Sequence, residues 1–181
     1  MKPLTAAATM LAIMVSMSLV PSARAADPTC DQFKRRLVEA GHALQQAGLS
    51  PPVIKYIPKP GSDPLGELEV FAIPVAGAVD VDLFCRNDRR FDSFDVLFWP
   101  SDFKSFLQLR YLMTAAIMAF TQWEPGLALK VLDKLVADVD ADKDANIVLP
   151  SKAALHLYGG GYVNFQINAA DALDGPSPGK E

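Results

Sequence analysis

Five oxygen-bearing side chains alternate along one short stretch of the chain, "VADVDADKDANIVL". They are Asp138, Asp140, Asp142, Asp144 and Asn146. Oxygen ligands at alternate positions are what a calcium loop of the EF-hand type supplies, with a glycine at position 6 and a bidentate glutamate at position 12 closing the shell. Read from Asp140, "DADKDANIVLPS" places Asp140, Asp142 and Asp144 at positions 1, 3 and 5, Asn146 at 7 and Ile147 at 8. To that point the segment resembles an EF-hand loop. It departs at Ala145, where the sharp turn wants glycine, and at Ser151, where the glutamate should stand. Pro150 and a strand-like run then follow, not a second helix. A distant acid such as Glu67 or Glu69 would have to complete the shell. Calcium is thus the one candidate cofactor, held by residues 138–146. The competing account is a solvated loop that stops a helix, since acids beyond a helix C-terminus oppose its dipole.

Catalytic constellations are sparse, and no residue is assigned a catalytic role. The only two histidines, His42 and His156, have no cysteine, histidine or carboxylate at ligand or triad spacing. There is no G-x-S-x-G, no H-E-x-x-H and no G-x-G-x-x-G after a strand. The pairs Asp80/Asp82 and Glu67/Glu69 have the chemistry for acid–base work. Same-face acids on a strand are more often simply its wet side. An enzyme would need a cleft that gathers His156 or these acids with a nucleophile. One basic cluster stands out, "RNDRRF", with Arg86, Arg89 and Arg90. It is a candidate contact for an anion or an acidic partner.

Charge and cysteines bound the partners and the compartment. Lys2, an uncharged run over Leu4–Val20, Pro21 and "ARA" read as a secretory signal peptide cut after Ala25. The apolar run is short for a membrane span. Without the leader, 15 basic residues face 21 acidic ones, a formal charge of −6. That balance excludes nucleic acid and anionic membrane as expected partners, because both need a basic footprint. The two cysteines, Cys30 and Cys85, lie beyond the leader. In an oxidising compartment they are expected to form a disulfide worth ~3–4 kcal/mol in the chain-entropy model. The expected location is periplasmic or secreted, for a protein of bacterial type.

These groups must be positioned by a single domain over residues 26–170, followed by a disordered tail, 171–181. Phe33, Leu37, Ala40, Leu44 and Ala47 recur at helical spacing, so a helix is expected over Thr29–Ala47, ended by Gly48. Proline-rich sequence then brackets a short edge strand, Val53–Ile57. Three more strands are predicted at Glu67–Ile73, Val79–Cys85 and Phe94–Trp99. Val79, Val81, Leu83 and Cys85 share one face, so Cys85 points into the core, where the first turn of the helix can meet it. A hairpin across "RNDRRFDS" is expected to set Val81, Leu83 and Cys85 beside Phe98, Val96 and Phe94. The opposite face then carries Asp80, Asp82, Phe84, Asp95, Leu97 and Trp99, a mixture of acids and large apolar groups. Either helices cover it, or it is a docking surface with Phe84, Leu97 and Trp99 as anchors.

A second helix is expected from the Ser101 cap to about Thr121. A third starts at Pro125, with Leu127, Val131, Leu135 and Val139 as its stripe, joined by Ala128, Leu132 and Val136. "KAALHLYGGGYVNFQIN" reads as a closing β-hairpin whose triple glycine is a turn, since no helix or P-loop lysine follows it. The fold class is α+β with a mainly antiparallel sheet, in the order α-β-β-β-β-α-α-β-β. The functional expectation is a non-enzymatic exported module that binds a partner, a protein of the cell envelope. The alternatives are a calcium-stabilised domain and an enzyme whose site the sequence does not display.

Overall fold

The computed structural model describes residues 27–63, 65–99, 103–139, 144–159 and 162–172. The expected leader, Ser101, Asp140, Asp142, Gly160, Gly161 and the end of the expected tail lie outside the described residues.

Helix α1, Cys30–Gln46, starts where Thr29 accepts a hydrogen bond from the Gln32 N–H and Gln32 answers to the Thr29 N–H, a complete capping box. Phe33, Leu37, Ala40 and Leu44 form its buried stripe. The helix stops because Gly48 takes a positive φ of 79°, which lets Leu49 N–H turn back to the Leu44 carbonyl.

Strands β1 (Ile57–Pro58), β2 (Leu68–Ala72), β3 (Ala78–Arg86) and β4 (Phe91–Phe98) come next, then α2 (Phe103–Thr121) and α3 (Pro125–Asp138). Strands β5 (Ala145–Val148), β6 (Ala154–Tyr158) and β7 (Val163–Asn168) complete the fold. The α+β class and the element order are as the sequence implies, with β5 added at the sheet's far end. The seven strands form one antiparallel sheet in the order β1-β2-β3-β4-β7-β6-β5. The closing hairpin therefore joins the main sheet, by pairing β7 with β4.

Several local expectations change. The edge strand is two residues long and begins where it was expected to end. Val53 is 81% exposed, and Tyr56 donates to the Lys34 carbonyl at 3.1 Å, so this proline-rich segment is tied to α1 instead of to the ladder. The β3–β4 register is shifted by two: Val81 pairs with Val96, Leu83 with Phe94 and Cys85 with Phe91. A shift of two keeps every face, which is why facing alone did not detect it. Two bulges break the alternation. One leaves Val79 out of register and 47% exposed, not inward with Val81. The other inserts Asp92, so Phe91 joins Phe94 on the inner side, with rings 4.6 and 5.5 Å from Phe33. On α3 the buried residues are Ala128, Leu132 and Leu135, while Leu127 and Val136 stay exposed.

The core is one-sided. Buried residues from α1, α2 and α3 form a single cluster with Leu83, Phe94, Val96, Phe165, Ile167 and Leu155 from the sheet. Helix α1 packs on α2, α2 on α3, and all three touch the sheet through that cluster. The Cys30–Cys85 disulfide spans 5.7 Å between Cα atoms and joins the first residue of α1 to β3. The Cys30 N–H donates to the Arg89 carbonyl at 2.9 Å beside it, so the helix start is pinned twice. Among the described residues, no helix is long and apolar enough to cross a membrane.

Candidate functional site

The strand pairing dictates what shares the face opposite the helices, because residues paired across an antiparallel ladder point the same way. One row across that outer face runs Ala72, Asp82, Asp95, Gln166, His156, Asn146. The row beside it runs Asp80, Leu97, Asn164, Tyr158. The row on the other side contains Val70, Phe84 and Ser93. Phe84, Leu97 and Trp99 all lie outside the helix-packed cluster, and no described helix covers this face. Phe84 and Leu97 are half-buried among their sheet neighbours. Trp99 is 54% exposed, and its ring meets that of Tyr162 edge-on at 5.9 Å.

The middle of the outer face is electrically tense. The true register sets Asp82 directly opposite Asp95, and like charges facing each other across strands repel. Asp82 is relieved by Lys59, whose Nζ lies 2.8 Å from Oδ2 and also reaches Asp80 at 3.5 Å. Burial still pushes the Asp82 carboxyl above its ordinary range, against the pull of Lys59. Burial would lower Lys59, but its hydrogen bond and ion pair with Asp82 and the charge of Asp80 raise it. Asp95 has no such cation among the described residues. Burial, then the charge of Asp82, raise its carboxyl to about 7, with only the Gln166 amide, 3.2 Å from Oδ2, acting the other way. Of the two acids, Asp82 has a cation beside it, and Asp95 releases its proton only as the pH rises through about 7.

Among the described residues, two acceptor oxygens in this centre are buried without a hydrogen bond: Asp95 Oδ1 and Asn164 Oδ1. At the β5 side, His156 stacks on Tyr158 with 5.7 Å between rings. Burial lowers the His156 pKa, opposed by Asp144. Burial raises that of Tyr158, helped by Asp144 and Asp95.

The calcium segment lies at the rim of the same face. Asp144 is exposed, and Ala145–Val148 is a strand, with Asn146 paired to His156. The latter half of the EF-hand-like stretch thus runs straight along a sheet edge. Among the described residues, no three histidine, cysteine or acidic side chains are grouped to hold a metal.

The basic cluster has become internal structure. Arg86 is 9% exposed; its Nε bonds Asp92 at 3.0 Å and its Nη1 bonds Asp171 at 3.0 Å, while Nη2 donates to the Asp171 carbonyl. Arg90 pairs with Asp88 at 2.7 Å and with Asp171 at 2.8 Å. Arg89 is exposed at a φ of 68°, its carbonyl held by Cys30. Asp171, expected at the start of the tail, is thereby a working part of the fold. Asp88, Asp92 and Asp171 balance the cluster, so it presents little net positive charge to a partner.

Sequence reasoning named Asp80, Asp82 and Asp95 as one face but missed Lys59, Asn164 and Gln166. The alternation of "YVNFQIN" was a signal for the last two, since every second residue there is polar. Set against known proteins, the chain matches no protein-family model, no curated protein and no solved structure.

Proposed function

We propose that this protein is a non-catalytic binding module, exported to the periplasm or secreted, that docks a protein partner of the cell envelope on the outer face of its sheet. The carrying observation is that all three helices pack against one side of the sheet and leave the acidic, aromatic-flanked side uncovered by any described helix. A half-polar sheet face with Trp99 at its edge has the composition of a docking surface: aromatic anchors and a charged rim. The Cys30–Cys85 disulfide supports an oxidising compartment.

Site-specific photocrosslinking in the exporting cell tests this reading. A photoreactive residue at Trp99 should give a discrete protein adduct. The same probe at His42, exposed on the helix layer, should give none. Identical adducts from both positions, or none from Trp99, would sink the proposal.

A further inference from the structure

The two orphan oxygens identify what the outer face is built to receive. Register places Asp95 opposite Gln166 and Leu97 opposite Asn164, so Asp95 and Asn164 are diagonal neighbours on one face. Diagonal neighbours on a sheet lie within reach of one bridging group. Asn164 is 3% exposed, and neither its Oδ1 nor Asp95 Oδ1 has a donor among the described residues. Buried acceptors without donors are rare in folded proteins because each forfeits its hydration. Two side by side call for a group with more than one N–H.

The charges around them select that group. Asp82 faces Asp95 directly from β3, with Asp80 two residues along the same strand, while Asp144, before β5, acts on Tyr158 and His156 beyond them. Asp92 adds negative charge from β4 itself. His156 and Tyr158 face it from β6. Lys59, the one cation found among these groups, is already held by Asp82 and Asp80. A guanidinium carries a delocalised charge and a planar fork of N–H groups that fits a carboxylate and an amide oxygen together.

We propose that Asp95 and Asn164, with Asp82 beside them, form the seat for an arginine side chain on a basic peptide segment of the partner. This rests on the outer face being the docking face. Gln166 is the group that yields, since its Nε2 leans on Asp95 Oδ2 at 3.2 Å. In the free protein the Asp95 carboxyl keeps its proton until the pH rises through about 7. The guanidinium replaces that proton, which leaves to solvent as Asp95 ionises. Asp82 and Asp80 favour the charged form of Lys59, and burial favours the neutral form of His156, so neither adds a carboxylate proton to the count.

The test is calorimetric titration of the oxidised protein with a capped tetra-arginine peptide at pH 6 and pH 8, at constant ionic strength. Binding is expected at pH 8. It should be about tenfold weaker at pH 6, where roughly a tenth of Asp95 is ionised. A further titration at pH 7, run in two buffers of different ionisation heat, should show proton release, a readout that needs no variant. Asp95→Asn keeps the shape and should abolish binding, while Asp133→Asn on the helix layer should leave it unchanged. Equal affinity at both pH values, no proton release, or undiminished binding by Asp95→Asn would mean diffuse attraction and overturn the proposal. Absence of binding at pH 8 would also overturn it. If Trp99 adducts form in the cell while the peptide fails, the docking face stands and the arginine seat falls.

Discussion

The two faces of this one sheet are built from the same strands, one residue out of step, and they are different materials. Across the inner face, Leu83, Phe94, Ile167 and Leu155 lie in a single paired row with no exposure at all. One residue away along β3, β4, β7 and β6, the outer row reads Asp82, Asp95, Gln166, His156. The inner row is satisfied by contact alone, because dispersion and burial ask only for close neighbours. The outer row is satisfied only in part: Lys59 answers Asp82, Gln166 answers one oxygen of Asp95, and the other oxygen is left. A sheet whose stability comes from one face can tolerate unmet polar demand on the other, and that tolerance is what a binding surface needs.

That contrast makes quantitative claims. The largest concerns the inner row. Phe94→Ala should cost ~3–5 kcal/mol by urea denaturation, the range for a fully buried aromatic. Leu97→Ala, on the outer face of the same strand, should cost under ~1.5 kcal/mol. Equal losses would mean that the outer face is a second core and would remove the docking argument. Next comes the link between the helix layer and the sheet. Reduction of the disulfide, or joint Cys30→Ser and Cys85→Ser replacement, should cost ~3–4 kcal/mol in the chain-entropy model, measured by denaturation with and without reductant.

A smaller effect belongs to Asp95, and its sign distinguishes it from an ordinary aspartate. Its folded pKa is raised from 3.8 to about 7. The folded state therefore binds the proton more tightly than the unfolded chain does. Its contribution is fully present below the unfolded pKa and is lost as pH rises through about 7. Stability should fall across that window with a slope of at most ~1.4 kcal/mol per pH unit. Asp95→Asn should flatten the profile and be the more stable protein at pH 8. A wild-type profile without this decline would place the proton elsewhere. The smallest expected effect is at the face's rim: Trp99→Ala should change stability by no more than ~0.5 kcal/mol while abolishing crosslinking from neighbouring positions. A large loss of stability would make Trp99 a packing residue.

Part of this was open to direct reading. Helical spacing in α1 and period-two alternation in β3 and β4 assigned the inner faces correctly. The inward aim of Cys85 joined to the N-terminal position of Cys30 yielded the disulfide. The same alternation put Asp80, Asp82 and Asp95 together on the other side. It did not put Asp82 opposite Asp95, because the expected register would have set Asp82 against Leu97. The bulged residues Val79 and Asp92 escaped as well, since a bulge is a local break in the very period being counted. Segment 138–146 was read for its oxygen atoms, and its last two residues, Ala145 and Asn146, proved to open an edge strand.

The sequence by itself determined most of the side chains that avoid water, because burial depends on residue type and on the period of the element that carries it, and the exceptions, Val79 and Asp92, sit at bulges. It also determined the charge balance and the single disulfide, since both follow from composition. Tertiary structure alone decided which polar groups meet. Asp82 faces Asp95 only because β3 and β4 pair two residues away from the alternative, and period two leaves that choice free. Gln166, Asn164 and His156 join them only because the chain returns after two helices to lay β7 against β4. Hydrogen bonds and carboxylate pairs depend on neighbours at a few ångströms, and neighbours that distant in sequence are fixed by the packed fold, not by any local pattern.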